Sequence, residues 1–281
     1  MGLTCAALNI MLRTYKWQFL LWNQGIRLSF GTLHALSYQA LFLNNFAPGS
    51  LGGDAFRVYK TMHNGGGKGR AVAAVIMERF TGVSILLGIV VVSSGADLFF
   101  WETGLSRTVL EIVFAVSATI LIGGYAAYKV AMTGLMSAQF LGSGGLVGRF
   151  SAALESIQTY ASDRDTIRRC LLLSSAYQVV LSIGMFFFSL AGGVEISPLH
   201  FFLVVSIVSL AISLPISING IGLQEGAFYF YLQSCGVEPV SALQIALLPR
   251  IGMLLFSLIG ASLLVYDWMT HKRPARTISL Q

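Results

Sequence analysis

Long apolar runs separated by short polar connections recur along the 281-residue chain. A helix needs about 20 predominantly apolar residues to cross the roughly 30 Å hydrocarbon core of a bilayer. The pattern therefore predicts an all-α fold, a polytopic transmembrane helical bundle that forms a single integral membrane domain over residues 1–281. The predicted spans are 28–46, 72–94, 108–130, 171–192, 201–218 and 242–266.

Two of the apolar runs, 28–46 and 201–218, lead into glycine-rich breaks that contain a proline, which we call the first break (44–57) and the second break (215–228). In both, an acidic residue follows the glycines and an arginine lies 25 positions beyond it. These pairs are Asp54 with Arg79 and Glu225 with Arg250. Interrupted helices at matching positions in two halves of a membrane protein are the best sequence indication of a binding site.

The two breaks belong to two similar halves of the chain, about 28–94 and about 199–265, joined by a cytoplasmic connection at about 131–169. A shift of 171 positions superimposes the breaks and the spans, although few residues are identical. Three full crossings separate the breaks, so the pattern predicts two inverted repeats. The segments 51–62 and 221–234 are too short for a full span, and we expect each to be a broken or re-entrant half-helix.

Composition agrees with a membrane protein. The chain is 55% hydrophobic and 11% charged, with a mean hydropathy of +0.74, whereas soluble domains carry about 25% charged residues. The net charge of +6 lies in two connections and the C-terminal tail, and the positive-inside rule assigns these regions, with the C-terminus, to the cytoplasm. The surplus therefore does not indicate a nucleic-acid partner.

Two segments fit this pattern poorly. Under the 171-residue shift, 171–192 corresponds to the start of the chain, where Arg13 and Lys16 interrupt a weakly apolar stretch. We expect a preceding span to be missing or strongly altered there. The segment 146–165 is of mixed polarity, and it is either an amphipathic helix at the headgroups or a solvated connector.

The breaks favour an anionic ligand. Glycine lets the backbone approach a ligand closely, helix N-termini attract anions, and arginine forks suit phosphate. Ionisable residues inside a membrane cost about 2.5–3.5 kcal/mol each and are functional candidates by default. The candidate substrate-binding residues are Pro48, Gly49, Gly52, Gly53, Asp54, Arg57, Glu78, Arg79, Asn219, Gly220, Gly222, Glu225 and Arg250.

A purely structural interpretation is also open. Pro48 and Pro215 can end helices, Asp54 and Glu225 can cap the next ones, and the two arginines can pair with these carboxylates. The histidines have no metal spacing and the three cysteines form no CxxC motif, so we expect no metal and no cofactor.

The chain resembles the lysylphosphatidylglycerol synthase transmembrane (flippase-like) family from about Trp17 to Tyr266. The motifs that carry the resemblance are Pro48-Gly49-x-x-Gly52-Gly53-Asp54-x-x-Arg57, Glu78-Arg79-x-x-Gly82, Pro215-x-x-x-Asn219-Gly220-x-Gly222-x-x-Glu225, and Arg250. The resemblance implies an inner-membrane protein of a bacterium or archaeon that moves or modifies lipids or lipid-linked sugars. Members that aminoacylate phosphatidylglycerol use a large soluble C-terminal domain. Only 15 residues follow Tyr266, so we expect no such enzyme activity.

These observations lead to one main hypothesis and two alternatives. The main hypothesis is a protein that binds an anionic lipid or a polyprenyl-phosphate-linked headgroup and moves it between leaflets, with Arg57, Arg79 and Arg250 on the phosphate. The first alternative is a membrane-embedded transferase with Asp54 or Glu225 as general base. The second is an accessory subunit of a lipid or glycan synthesis enzyme. Expected partners are membrane lipids, with a homo-oligomer or a synthase partner also possible.

Overall fold

The computed structural model describes residues 1–47, 51–63, 67–99, 107–132, 160, 163–213 and 217–271. Within these ranges the regular secondary structure is helical, without strands. The described residues form nine helices: α1 (Gly2–Asn23), α2 (Phe30–Asn44), α3 (Leu51–His63), α4 (Lys68–Phe99), α5 (Arg107–Met132), α6 (Arg164–Ala191), α7 (Pro198–Ser213), α8 (Leu223–Ser234) and α9 (Pro239–His271). The predicted all-α bundle is confirmed. Pro48, Gly49, Pro215 and most of 146–165 lie outside the described residues.

Four of the described helices are long and apolar enough to cross a membrane. They contain the segments Gly69–Leu98, Arg107–Ala126, Arg164–Ala191 and Pro239–Thr270. The prediction of full spans at 28–46 and 201–218 is wrong, because α2 has 15 residues and α7 has 16. α2 stops at Asn44, where the Asn44 side chain accepts a 2.7 Å hydrogen bond from the Gly53 amide and so fixes the reversal of the chain into α3.

The first helix differs most from the sequence-based expectation. α1 is continuous over 22 residues, so Arg13 and Lys16 do not interrupt it. It runs antiparallel to α6: Gly2 lies against the Phe188 ring, while Asn23 donates to Asp163 at 2.9 Å. Lys16 is buried and Arg13 is partly exposed. Both cations donate to acceptors on neighbouring helices.

Asp163, which lies beside Asn23 at the end of α1, caps the N-terminus of α6. Its carboxylate accepts hydrogen bonds from the hydroxyl and the amide of Thr166 and from the amide of Asp165. These bonds, those with Thr166 above all, stabilise the charged form and lower the pKa of Asp163.

The helices of the two halves follow one layout. A shift of 171 positions carries the start of α4 onto the start of α9 and the end of α3 onto the end of α8. The packing follows the same correspondence. The contact of α2 with α9 is matched by that of α7 with α4, and the contact of α3 with α4 by that of α8 with α9. The equivalent helices α1 and α6 pack on each other. This pattern is what two equivalent halves require. The inverted orientation and the re-entrant course of α3 and α8 remain predictions.

Glycines allow the helices around the first break to approach closely. A Cβ built on Gly53 would lie 2.5 Å from the Ala40 carbonyl oxygen, and one on Gly260 would lie 1.9 Å from that of Tyr38. Real side chains do not tolerate such distances, so both positions need glycine. The result is a tight α3–α2–α9 stack that holds the first break against the last helix.

Candidate functional site

The first break meets α1 and α4 in a cluster of ion pairs. Arg13 donates to Glu78 at 3.0 Å and to Asp54 at 3.4 Å. Arg79 donates to the other Asp54 oxygen at 2.6 Å. Arg57 bonds Glu78 and also lies 3.5 Å from Asp54. Both carboxylates are therefore shared among three guanidinium groups, and both are almost fully buried.

The three arginines of this cluster have different surroundings. Arg57 keeps 2% of its side-chain surface exposed and stacks 4.0 Å from the centre of the buried Trp17 ring. Arg13 and Arg79 keep 36% and 35% exposed. Arg57 therefore lies behind the carboxylates, whereas the other two present part of their surface to open space.

Lys16 lies one helical turn beyond Arg13 and is also buried. Its ammonium donates to the Ser174 hydroxyl at 2.7 Å and to the Glu78 backbone carbonyl at 2.8 Å. These bonds connect α1 to α4 and α6. Because Lys16 bonds the backbone carbonyl of Glu78, the Glu78 carboxylate pairs with Arg13 and Arg57 instead.

The second break is organised around Arg250. Its guanidinium donates to the Glu225 carboxylate, to the Asn219 carbonyl at 2.9 Å and to the Gln224 side chain at 3.3 Å. The other Glu225 oxygen accepts from the Gly222 amide at 2.8 Å. Asn219, Gly220 and Gly222 all have positive φ, of 47°, 73° and 79°, a conformation that suits glycine and asparagine.

The two breaks touch each other. The Asn219 side chain donates to the Asn45 side chain at 2.7 Å. Asn45 directly follows α2, and Asn219 lies just before α8. This hydrogen bond joins equivalent regions of the two halves.

A cavity of about 500 Å³ lies beside this junction. Helices α1, α2, α4, α6, α7, α8 and α9 all contribute to its wall, which is mainly apolar. Its charged and amide-bearing lining residues are Arg13, Lys16, Glu78, Arg79, Asn9, Gln178, Asn219 and Gln224. A volume of this size is typical of sites that enclose most of a small ligand.

Three of the predicted site residues, Glu78, Arg79 and Asn219, line the cavity. Four more lie behind them in the same ion-pair networks: Asp54, Arg57, Glu225 and Arg250. The predicted pairings of Asp54 with Arg79 and of Glu225 with Arg250 are present. Gly52 and Gly53 instead serve helix packing, because a Cβ on either would clash with α2 or with Ala47 just after it. Pro48 and Gly49 lie outside the described residues.

The sequence analysis missed Arg13, Lys16 and Gln224. Two cations within an otherwise apolar N-terminal stretch were a usable signal, since intramembrane charges are functional by default. Gly82, which belongs to the motif with Glu78 and Arg79, lines the cavity, and a Cβ there would come no closer than 4.0 Å, to Lys16. Among the described residues, no group of three or more His, Cys, Asp or Glu side chains is arranged to hold a metal ion.

Comparison with known proteins identifies the family. The profile of the lysylphosphatidylglycerol synthase TM region matches residues 1–261. No curated protein and no solved structure gave a significant match. The profile spans most of the chain and includes α1, both breaks and the cavity. The chain therefore belongs to the lysylphosphatidylglycerol synthase transmembrane-region family and is an integral membrane protein related to lipid handling.

Proposed function

We propose that the protein binds the anionic headgroup of a lipid, or of a polyprenyl-phosphate-linked molecule, in the central cavity and moves it between leaflets. The observation that carries this proposal is the composition of the cavity wall, where arginine and lysine meet a mainly apolar lining. An amphiphile presents the same two chemistries, a charged group joined to an apolar chain.

The charge balance supports an anion. Among the described residues, the cations Arg13, Lys16, Arg57 and Arg79 surround two carboxylates, Asp54 and Glu78. The cluster therefore carries a formal surplus of two positive charges. In a low-dielectric setting such a surplus is costly, and a bound anion offsets it.

The position of two arginines along their helices supports a site within the membrane. Arg79 and Arg250 each lie eleven residues after the first residue of their helix, about 16 Å along the axis. These helices have 32 and 33 residues, so both arginines lie well inside a long apolar helix rather than in its first turn.

The arginines divide into two roles in this proposal. Arg13 and Arg79 line the cavity with exposed surface, so they contact the headgroup. Arg57 and Arg250 are buried. Arg57 pairs with Asp54 and Glu78, and Arg250 bonds Glu225, the Asn219 carbonyl and Gln224, so we assign both to holding the two breaks in shape. Arg57 and Arg250 thus move from the phosphate-contacting set of the sequence analysis to a positioning set.

Translocation in reconstituted vesicles tests the proposal. We expect Arg79→Gln and Arg13→Gln to lower the movement of a fluorescent anionic lipid by at least tenfold, because each removes a charge-assisted bond to the headgroup. Arg107→Gln is the matched control, since Arg107 is 80% exposed and pairs only with the nearby Glu111 among described residues. Wild-type rates in both cavity variants would refute the assignment.

We propose a binding and transport role in preference to catalysis. The oxygens of Asp54 are occupied by guanidinium groups and those of Glu225 by Arg250 and the Gly222 amide, so neither is offered to a substrate as a base. Mass spectrometry of lipids from cells with and without the protein separates the alternatives: a covalently changed lipid indicates a transferase. Co-purification with a synthase, together with no transport by the pure protein, indicates an accessory subunit.

A further inference from the structure

We infer that Lys16 selects a phosphate monoester or a diphosphate group over a phosphodiester at the cavity. This inference rests on the proposed function, which assigns an anionic headgroup to the same cavity. It adds the chemical class of that headgroup and the residue that recognises it.

Lys16 makes its hydrogen bonds to uncharged groups. Its two hydrogen bonds go to a hydroxyl and to a backbone carbonyl, both neutral. Among the described residues no carboxylate oxygen lies within 4.0 Å of its Nζ. A buried cation whose direct contacts are all neutral is unfavourable unless a further negative charge approaches it.

Lys16 has a third N–H besides the two in these hydrogen bonds. An ammonium has three donors, and the described residues accept two of them. Lys16 and Gly82 both line the cavity, and the Lys16 Nζ lies 4.0 Å from a Cβ built on Gly82. A headgroup that enters the cavity therefore comes within reach of the third donor.

The number of positive charges around the cavity matches a doubly charged headgroup. Lys16 shares the cavity wall with Arg13 and Arg79, and the cluster has a formal surplus of two positive charges over its carboxylates. A phosphate monoester carries about 1.5 to 2 negative charges at pH 7 and has three terminal oxygens. A phosphodiester carries one charge and has two such oxygens. Three converging donors and two surplus charges therefore match the monoester or a diphosphate.

The positions of Lys16 and Arg13 in the sequence indicate that the first half of the chain recognises the headgroup. Under the 171-residue correspondence, Lys16 maps onto Phe187 and Arg13 onto Gly184. Both counterparts are uncharged, so the second half does not repeat this pair of cations. The selective charge thus comes from α1, while the second break contributes neutral groups such as Asn219 and Gln224.

Binding to the purified full chain in detergent micelles tests the inference. The probes are phosphatidic acid, which is a monoester, phosphatidylglycerol, which is a diester, and inorganic phosphate. We expect wild type to bind phosphatidic acid roughly tenfold to a hundredfold more tightly than phosphatidylglycerol, the range of one added charge-assisted hydrogen bond. Inorganic phosphate should bind more weakly than phosphatidic acid, because it leaves the apolar wall unused. If inorganic phosphate bound as tightly as phosphatidic acid, the conclusion that the phosphate belongs to a lipid would be wrong.

Two variants assign the preference to Lys16. Lys16→Met removes the charge, and Lys16→Gln also keeps a donor for Ser174. We expect both to reduce the preference to threefold or less. Lys60→Met is the control, since Lys60 pairs with Asp267 at 3.5 Å and does not line the cavity. An unchanged preference in either folded variant, or equal binding of both lipids by wild type, would overturn the inference.

The same lipids in vesicles separate this inference from the proposed function. If wild type prefers phosphatidic acid in binding but moves no lipid between leaflets, the transport proposal fails and the selectivity stands. If wild type moves both lipids and binds them equally, the transport proposal stands and the selectivity fails.

Discussion

Replacing Arg57 by Met tests whether the ion-pair cluster holds the first half together. The substitution keeps an unbranched apolar stem of similar reach but removes the guanidinium. That group contacts Asp54 and Glu78 and stacks on Trp17. Its position on α3 makes it the buried link from the first break to α1 and α4.

The structure sets the size of the effect. Breaking a buried ion pair by removing one partner costs about 3–5 kcal/mol, and a desolvated cation–π contact contributes about 2 kcal/mol. Arg13 and Arg79 remain on the two carboxylates, which reduces the loss. We therefore expect Arg57→Met to lower the free energy of unfolding by about 3 kcal/mol.

Unfolding in a detergent–SDS titration measures this loss. Arg107→Met is the control, because an exposed pair such as Arg107 with Glu111 contributes at most about 0.5 kcal/mol. If Arg57→Met were as stable as this control, the cluster would not stabilise the fold. The assignment of Arg57 to a positioning role would then be wrong.

Three further substitutions test other parts of the structure by the same titration. Gly53→Ala is expected to cost about 1–3 kcal/mol of stability by overpacking against Ala40. Gly88→Ala, with open space around it, should be at least as stable as wild type. Equal stability of the two variants would contradict the tight α2–α3 contact. Asn219→Ala should cost about 1 kcal/mol or more, because it loses the bond to Asn45 and leaves alanine at a positive φ. Asn219→Gly should lose less stability, because glycine accepts that φ. If the glycine variant were the less stable of the two, backbone strain would not be the cause. Asp163→Asn should be less stable than wild type at pH 7. This deficit should shrink as the pH falls below about 4. A carboxylate with a lowered pKa stabilises the fold above its unfolded pKa, and it loses that contribution as the pH falls through its folded pKa. A deficit that does not change with pH would exclude a charge effect.

Periodicity and spacing predicted much of the fold. Continuous apolar runs located α4, α5, α6 and α9, because a span needs uninterrupted apolar length. The 25-residue spacing of the acid–arginine pairs in both halves predicted contacts that the structure contains. Hydropathy overestimated α2, because it does not register that the Asn44 side chain ends the helix by accepting from Gly53.

The candidate site was predicted less completely. Arg13 and Lys16 lowered the apolar character of α1, and composition alone does not tell an interrupted span from a helix whose cations turn inward to Glu78 and Ser174. The sequence analysis placed Arg57 on the phosphate, whereas its burial against Trp17 favours the positioning role that we propose. Such distinctions depend on which neighbours a side chain meets, and tertiary packing decides them.

Blocking the cavity tests the central claim most directly. Gly82 lines the cavity with room for added atoms, whereas Gly88 lies six residues further along α4, away from the cavity. We expect Gly82→Leu to abolish the movement of a fluorescent anionic lipid in reconstituted vesicles, and Gly88→Leu to retain it, with both proteins folded and inserted. Undiminished movement with Gly82→Leu would contradict a route through this cavity.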